Sequence, residues 1–192
     1  MHFGHYYLTR GLEESNKIDK STRIVNTASG AAMLGGFDSS FFTNADAEGD
    51  LRGEITKTSH LAMYTRGKLS NFYFTRALAD KGYKACTLHV GVVATSIWTA
   101  PSMVVGGFDV GAYAQAAVSW YMGLISRDVE QGSRGIVRCA LDDDPAVTGG
   151  AYLDGGGNPR EDWLLPPCMK DMKTKERLME VSEMFWQKGV VG

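Results

Sequence analysis

Residues 60–91, HLAMYTRGKLSNFYFTRALADKGYKACTLHVG, decide how the chain folds. Apolar residues recur at helical spacing from about His60 to Asp80, through Leu69, Phe72, Tyr73 and Leu78, and Lys81-Gly82 supplies the basic residue and glycine that suit a helix C-terminus. Lys84 to Val90 then reads as a short buried strand, with Gly91 at its end. Upstream, Ile24-Val25-Asn26-Thr27-Ala28 is a run of the same kind, β-branched, bounded by polar residues and closed by Ser29 and Gly30. Strands alternating with helices of about fifteen residues predict an α/β fold, a parallel sheet with helices on both faces.

The flanking segments extend that pattern. Tyr6 to Glu14 is expected to be helical and Asn16 to Ser21 a polar connection. Ala31 to Lys57 holds no sustained period and reads as a long irregular insert with acidic residues at Asp46, Glu48 and Asp50. A loop and a buried helix are expected between Ser102 and Ile125, the helix between Asp109 and Ser126, followed by a polar surface stretch through Arg134. Ile136 to Leu141 fits helix or strand equally. Ala151-Tyr152-Leu153 is a short strand fenced by glycines, and Met169 to Lys188 an amphipathic closing helix.

At 192 residues and 44% hydrophobic, the chain is long enough for one sizeable core, and one globular domain over 1–192 is expected. Its 20 basic and 22 acidic residues are well mixed, which argues against a nucleic-acid partner. Cys86, Cys139 and Cys168 form no Cys-x-x-Cys pair and read as reduced thiols of an intracellular, cytoplasmic protein, with Cys168 the most exposed. The N-terminus lacks the basic start and long apolar stretch of a signal peptide. The most apolar window, 102–125, carries Asp109, Gln115 and four glycines, too polar for a transmembrane helix, although peripheral membrane contact stays compatible with it. His2 and His5, three apart, are the one His pair at ligand spacing; no metal site is expected.

The chemistry-bearing feature is Tyr64-Thr65-Arg66-Gly67-Lys68. Four residues apart on a helix, a phenol and an ammonium share one face. A phenol titrates near pKa ~10 and exchanges protons poorly at neutral pH unless a nearby cation favours the phenolate. Lys68 supplies that cation, so the pair suits general acid/base work. Ser29, a turn residue by its neighbours alone, ends the preceding strand, and ligands of such sheets bind beyond the carboxyl ends of strands. A hydroxyl there can orient a carbonyl or carbinol oxygen while the phenol exchanges its proton. Trp98, Phe108, Tyr113, Trp120 and Tyr121 suit either core or the lining of an apolar pocket.

With these residues in order, the sequence resembles the short-chain dehydrogenase/reductase family, in particular its retinol-dehydrogenase-like branch. The resembling segments are residues 1–9 (MHFGHYYLT), 23–29 (RIVNTAS), 64–71 (YTRGKLSN) and 88–95 (LHVGVVAT), followed by Glu130-Gln131-Gly132, Gly150 to Leu153 and Glu180 to Glu183. The resemblance implies the C-terminal portion of a doubly wound, Rossmann-like sheet. It implies an oxidoreductase acting on the carbonyl/alcohol pair of a hydrophobic substrate with NADP or NAD. Ser29 would hold the substrate oxygen, Tyr64 would be the general acid/base, and Lys68 would lower the Tyr64 pKa and bind the nicotinamide ribose. Gly91, Val92, Val93 and Thr95 would face the nicotinamide, with the hydride supplied by the cofactor. His89 would make a structural hydrogen bond.

Some positions depart from the family pattern: Gly67 replaces a serine, Val90 a proline, and Met1 the asparagine of a catalytic tetrad. The glycine-rich cofactor turn and the residue selecting NAD or NADP would precede Met1. Neither Ser29 to Gly36 nor Gly149 to Gly157 has Gly-x-Gly-x-x-Gly spacing leading into a helix, so both are expected to be loops. The alternative expectation is therefore a catalytically inactive truncated remnant or incomplete gene model that retains the acid/base half. A parallel sheet without its first strands would expose an apolar edge, which predicts poor solubility or a homodimer.

Overall fold

The computed structural model describes residues 2–37, 59–93, 104–105, 108–109, 120 and 126–189. The strands β1 (Arg23–Thr27), β2 (Lys84–Leu88) and β5 (Gly149–Leu153) lie in the order β1-β2-β5, both pairs parallel. Thr27 stands opposite Leu88, and Leu88 opposite Leu153, so the three strands end at one edge. The polypeptide crosses from β1 to β2 through a 3-10 turn, Gly30–Leu34, and the long helix α2 (His60–Asp80).

Both sheet faces are covered, as the near-continuous apolar strands require. Side chains alternate along β2: Ala85 packs with Phe74 and Leu78 of α2, whereas Cys86 and Leu88 pack with Cys139 and Val147 on the opposite face. The first face is closed by α2 with α1 (His2–Glu14) and α6 (Met172–Gln187), where Leu69, Phe72, Tyr152, Leu178 and Phe185 form one core. The second is closed by α3 (Val129–Leu141) and α4 (Pro145–Thr148). Each fully buried side chain of this seam contributes about 1.5–3 kcal/mol. Exposed ion pairs such as Arg134–Glu130 contribute about 1 kcal/mol or less, so packing decides the architecture.

Local signals set the helix ends. The Ser59 hydroxyl accepts the Ala62 amide at the start of α2, and Gly82, at φ +86°, turns the chain into β2. The mixed α/β arrangement, with three parallel strands flanked by helices, is the expected Rossmann-like one.

Several expectations need correction. The first helix begins at His2 rather than Tyr6. The stretch after Ser29 opens with a 3-10 turn, Gly30–Leu34; residues 38–58, with the acidic cluster, lie outside the described residues. Val129 to Arg134 is helix instead of a polar surface connection, because the Asp128 carboxylate caps Gln131 and starts α3 there. The closing helix is two: α5 (Pro167–Lys170) stops at Asp171, whose extended backbone and side chain cap α6. Within 102–125, Val104–Val105 and Phe108–Asp109 pair antiparallel as β3 and β4 where a loop was expected. Of the helix expected there only Trp120 is described: it is helical but 70% exposed, so not buried. No described helix is long and apolar enough to cross a membrane.

Candidate active site

Ser29 leaves β1 at the carboxyl edge of the sheet. Its Oγ accepts the Ala31 amide at 3.2 Å, capping the 3-10 turn, and its carbonyl accepts the Tyr152 hydroxyl at 3.1 Å. Burial pushes the Tyr152 phenol up to about 12, so it stays a donor and ties Ser29 to β5 across the sheet.

Lys68 approaches the same strand end from α2. Its Nζ donates to the Thr27 carbonyl at 3.2 Å, two residues before Ser29, and lies 5.9 Å from the Tyr64 ring centroid. The helical spacing thus stacks ammonium on phenol as expected. Tyr64 is 39% exposed, within reach of a ligand, while Lys68 is half-buried. His5 of α1 also feels this cation: burial first and the Lys68 charge second hold its imidazole below the ordinary value.

The third part follows β2. Gly91 turns at φ +78°, a conformation that favours glycine, and Val93 bridges to Arg127 with the Arg127 amide bonded to the Val92 carbonyl at 2.8 Å. The Arg127 guanidinium donates to the Gly155 carbonyl after β5, joining the two turns. His89 stacks on Tyr152 with ring centroids 5.7 Å apart, and burial first, then Arg160, lowers its pKa. The expected side-chain hydrogen bond of His89 is not seen among the described residues; the contact its ring makes is this aromatic one. Thr95 lies outside the described residues, as do Trp98, Tyr113 and Tyr121.

The structure gathers Ser29, Lys68 and Tyr64 around the end of β1 and sets Gly91 to Val93 at the end of its neighbour. His2 and His5 differ in burial: His2 is buried against Ser182, with 2.7 Å between Nε2 and Oγ, whereas His5 is half-buried. The sequence did not assign roles to Tyr152, Arg127 or Asn71. Asn71 stands three residues after Lys68 on the same helix face, the one signal that pointed to it. A groove of about 320 Å³ among α1, α2 and α6, lined by Arg10, Phe74 and Glu183, lies toward the C-terminal end of α2 and includes none of the site residues.

The chain is 28% identical to retinol dehydrogenase 12 of Mus musculus over 185 residues, 94% of this chain and 51% of that protein. It is 26% identical to retinol dehydrogenase 12 of Homo sapiens over 186 residues, again 94% and 51%. It thus spans about half the length of the curated relatives it matches. No family model and no solved structure matches. The resemblance to retinol-dehydrogenase-like short-chain dehydrogenase/reductases is borne out.

Proposed function

We propose, from that likeness to retinol dehydrogenases, that these residues are the acid/base part of a short-chain oxidoreductase domain acting on a hydrophobic alcohol/carbonyl pair. The observation that carries this reading is the Lys68 ammonium bonded to the Thr27 carbonyl, two residues before Ser29, with Tyr64 above it one helical turn earlier. A retinol-like polyene is the substrate class suggested by the relatives.

In the reducing direction, Tyr64 gives its proton to the carbonyl oxygen as that oxygen gains negative charge; in the oxidising direction it takes the proton back. Ser29 orients the oxygen through its hydroxyl, which a carbonyl substrate can approach because its Oγ is fixed by the Ala31 amide. Lys68 places a positive charge over the phenol ring, 5.9 Å from its centroid.

The residues present fit the nicotinamide-ribose end of NADP or NAD. An ammonium carries three donors, and one goes to Thr27, so the geometry suits further donation to ribose hydroxyls. Gly91, without a side chain, suits close approach of a flat ring. Val92 and Val93 would complete that wall, and Thr95 is proposed for the same role from the sequence alone. The nucleotide, when bound, supplies or accepts the hydride.

A second reading is that this polypeptide does not bind the nucleotide by itself, since these 192 residues contain no Gly-x-Gly-x-x-Gly turn. Thermal unfolding in rising NADPH or NADH separates the two, since a ligand that binds only the folded state raises its stability. At a hundredfold excess over Kd the gain is about 2.7 kcal/mol. An upward, concentration-dependent midpoint is expected; no shift with either nucleotide sinks the enzyme reading for this polypeptide.

A further inference from the structure

We propose that Asn71 is a positioning residue for Lys68, acting through the Thr27 carbonyl that both side chains share. The inference rests on reading Lys68 as the cation of the site. Lys68 Nζ donates to that oxygen at 3.2 Å and Asn71 Nδ2 at 3.3 Å. A carbonyl oxygen has two lone pairs and accepts both. The two donors stand three residues apart on α2, so a single helix face delivers them together.

Asn71 is fully buried, and its Oδ1 has no hydrogen-bond partner among the described residues. An apolar side chain of that size would fill the space without leaving an unpaired acceptor. What Asn71 adds is its donor. Its backbone is also fixed from below: the Thr75 hydroxyl donates to the Asn71 carbonyl at 2.9 Å, and Asn26 Nδ2 donates to that hydroxyl at 2.9 Å. The Thr87 hydroxyl in turn donates to the Asn26 carbonyl at 2.8 Å. Asn26, Thr75 and Thr87 are all buried, so α2, β1 and β2 are pinned to one another directly beneath Lys68. Lysine has a flexible four-carbon stem, whereas asparagine, short and enclosed, is already ordered. Asn71 therefore holds the acceptor in place and Lys68 has one position to adopt over Tyr64.

Competitive acylation with acetic anhydride, read by mass spectrometry, tests this without requiring turnover. Lys68 is compared with the other lysines of the same chain in wild type, Asn71→Leu, Asn71→Asp and Thr75→Val. Asn71→Leu is expected to raise Lys68 labelling several-fold while the other lysines stay unchanged. Asn71→Asp, nearly isosteric, is expected to lower it, because a carboxylate there takes the ammonium into an ion pair that shields it from the reagent. Thr75→Val removes a buried network member that does not touch the Thr27 carbonyl and is expected to leave Lys68 as it was. Should Asn71→Leu fail to fold, Asn71→Ala, which likewise removes the donor to the Thr27 carbonyl and is expected to raise Lys68 labelling, takes its place. An unchanged Lys68 rate in both Asn71 variants, or an equal rise in Thr75→Val, would overturn the proposal. Because labelling needs no nucleotide, its failure is distinct from absence of a nucleotide-dependent thermal shift.

Discussion

His2 shows what a buried polar side chain imposes on one residue. With the Ser182 hydroxyl proton given to the Leu178 carbonyl at 2.7 Å, His2 Nε2 is the donor to Ser182 Oγ, and Nδ1 has no hydrogen-bond partner among the described residues. Burial, then neighbouring positive charge, pushes His2 down to about 3. The unfolded chain binds this proton near pH ~6.5. Between there and about 3 it holds a proton that the folded state refuses, so stability falls with acid across that window. Near pH ~5 the loss is about 2 kcal/mol. Urea unfolding from neutral to acid pH should show His2→Gln losing less than wild type over this range; parallel curves would refute it. The same residue marks a limit of sequence reading. His2 and His5 look alike at three-residue spacing, and only burial, which depends on α6 packing from the far end of the chain, tells them apart. Asn71 was hidden for the same reason: its spacing from Lys68 places it on the same helix face but does not say that its amide reaches a strand-end carbonyl.

Elements were legible where periodicity and punctuation agreed. The helix from His60 to Asp80 and the strands following Arg23 and Lys84 emerge with nearly the expected bounds, because apolar repeat, cap and glycine all say the same thing. The start of α3 was obscured by Gly132 and Gly135, poor helix formers that tertiary contact requires. A Cβ at Gly132 would come within 2.7 Å of Val93 Cγ2, and one at Gly135 within 3.0 Å of Leu88 Cδ1. Close approach of α3 to the sheet outweighs propensity there. The break at Asp171 was hidden because the apolar repeat continues through it. Asp171 Oδ1 accepts the Thr174 amide at 3.1 Å and Oδ2 the Thr174 hydroxyl at 2.7 Å. Asp171→Ala is expected to cost about 1 kcal/mol, a fall in Tm of a few degrees by calorimetry. An unchanged Tm would show that α6 is held by packing alone.

At the scale of the whole molecule, three parallel strands bring their carboxyl ends to one edge, where Ser29 and Gly91 to Val93 follow β1 and β2 and Lys68 arrives from α2. Ser29 and Gly91 were legible as strand-end residues because that placement follows from parallel topology itself. The Tyr152 hydroxyl on Ser29 and the Arg127 tie between the β2 and β5 turns were not, since each joins segments more than twenty residues apart. The chain spans about half the length of its matched relatives, and in the reaction proposed above its residues are assigned the proton transfer. The most direct test is the initial rate of NADPH- or NADH-dependent reduction of a hydrophobic aldehyde by the wild-type chain and by Tyr64→Phe, which keeps the ring and removes the proton. A wild-type rate that falls on the order of 10²–10⁴-fold in the variant is predicted. Equal rates, measurable or nil, would contradict Tyr64 as the acid/base of this protein.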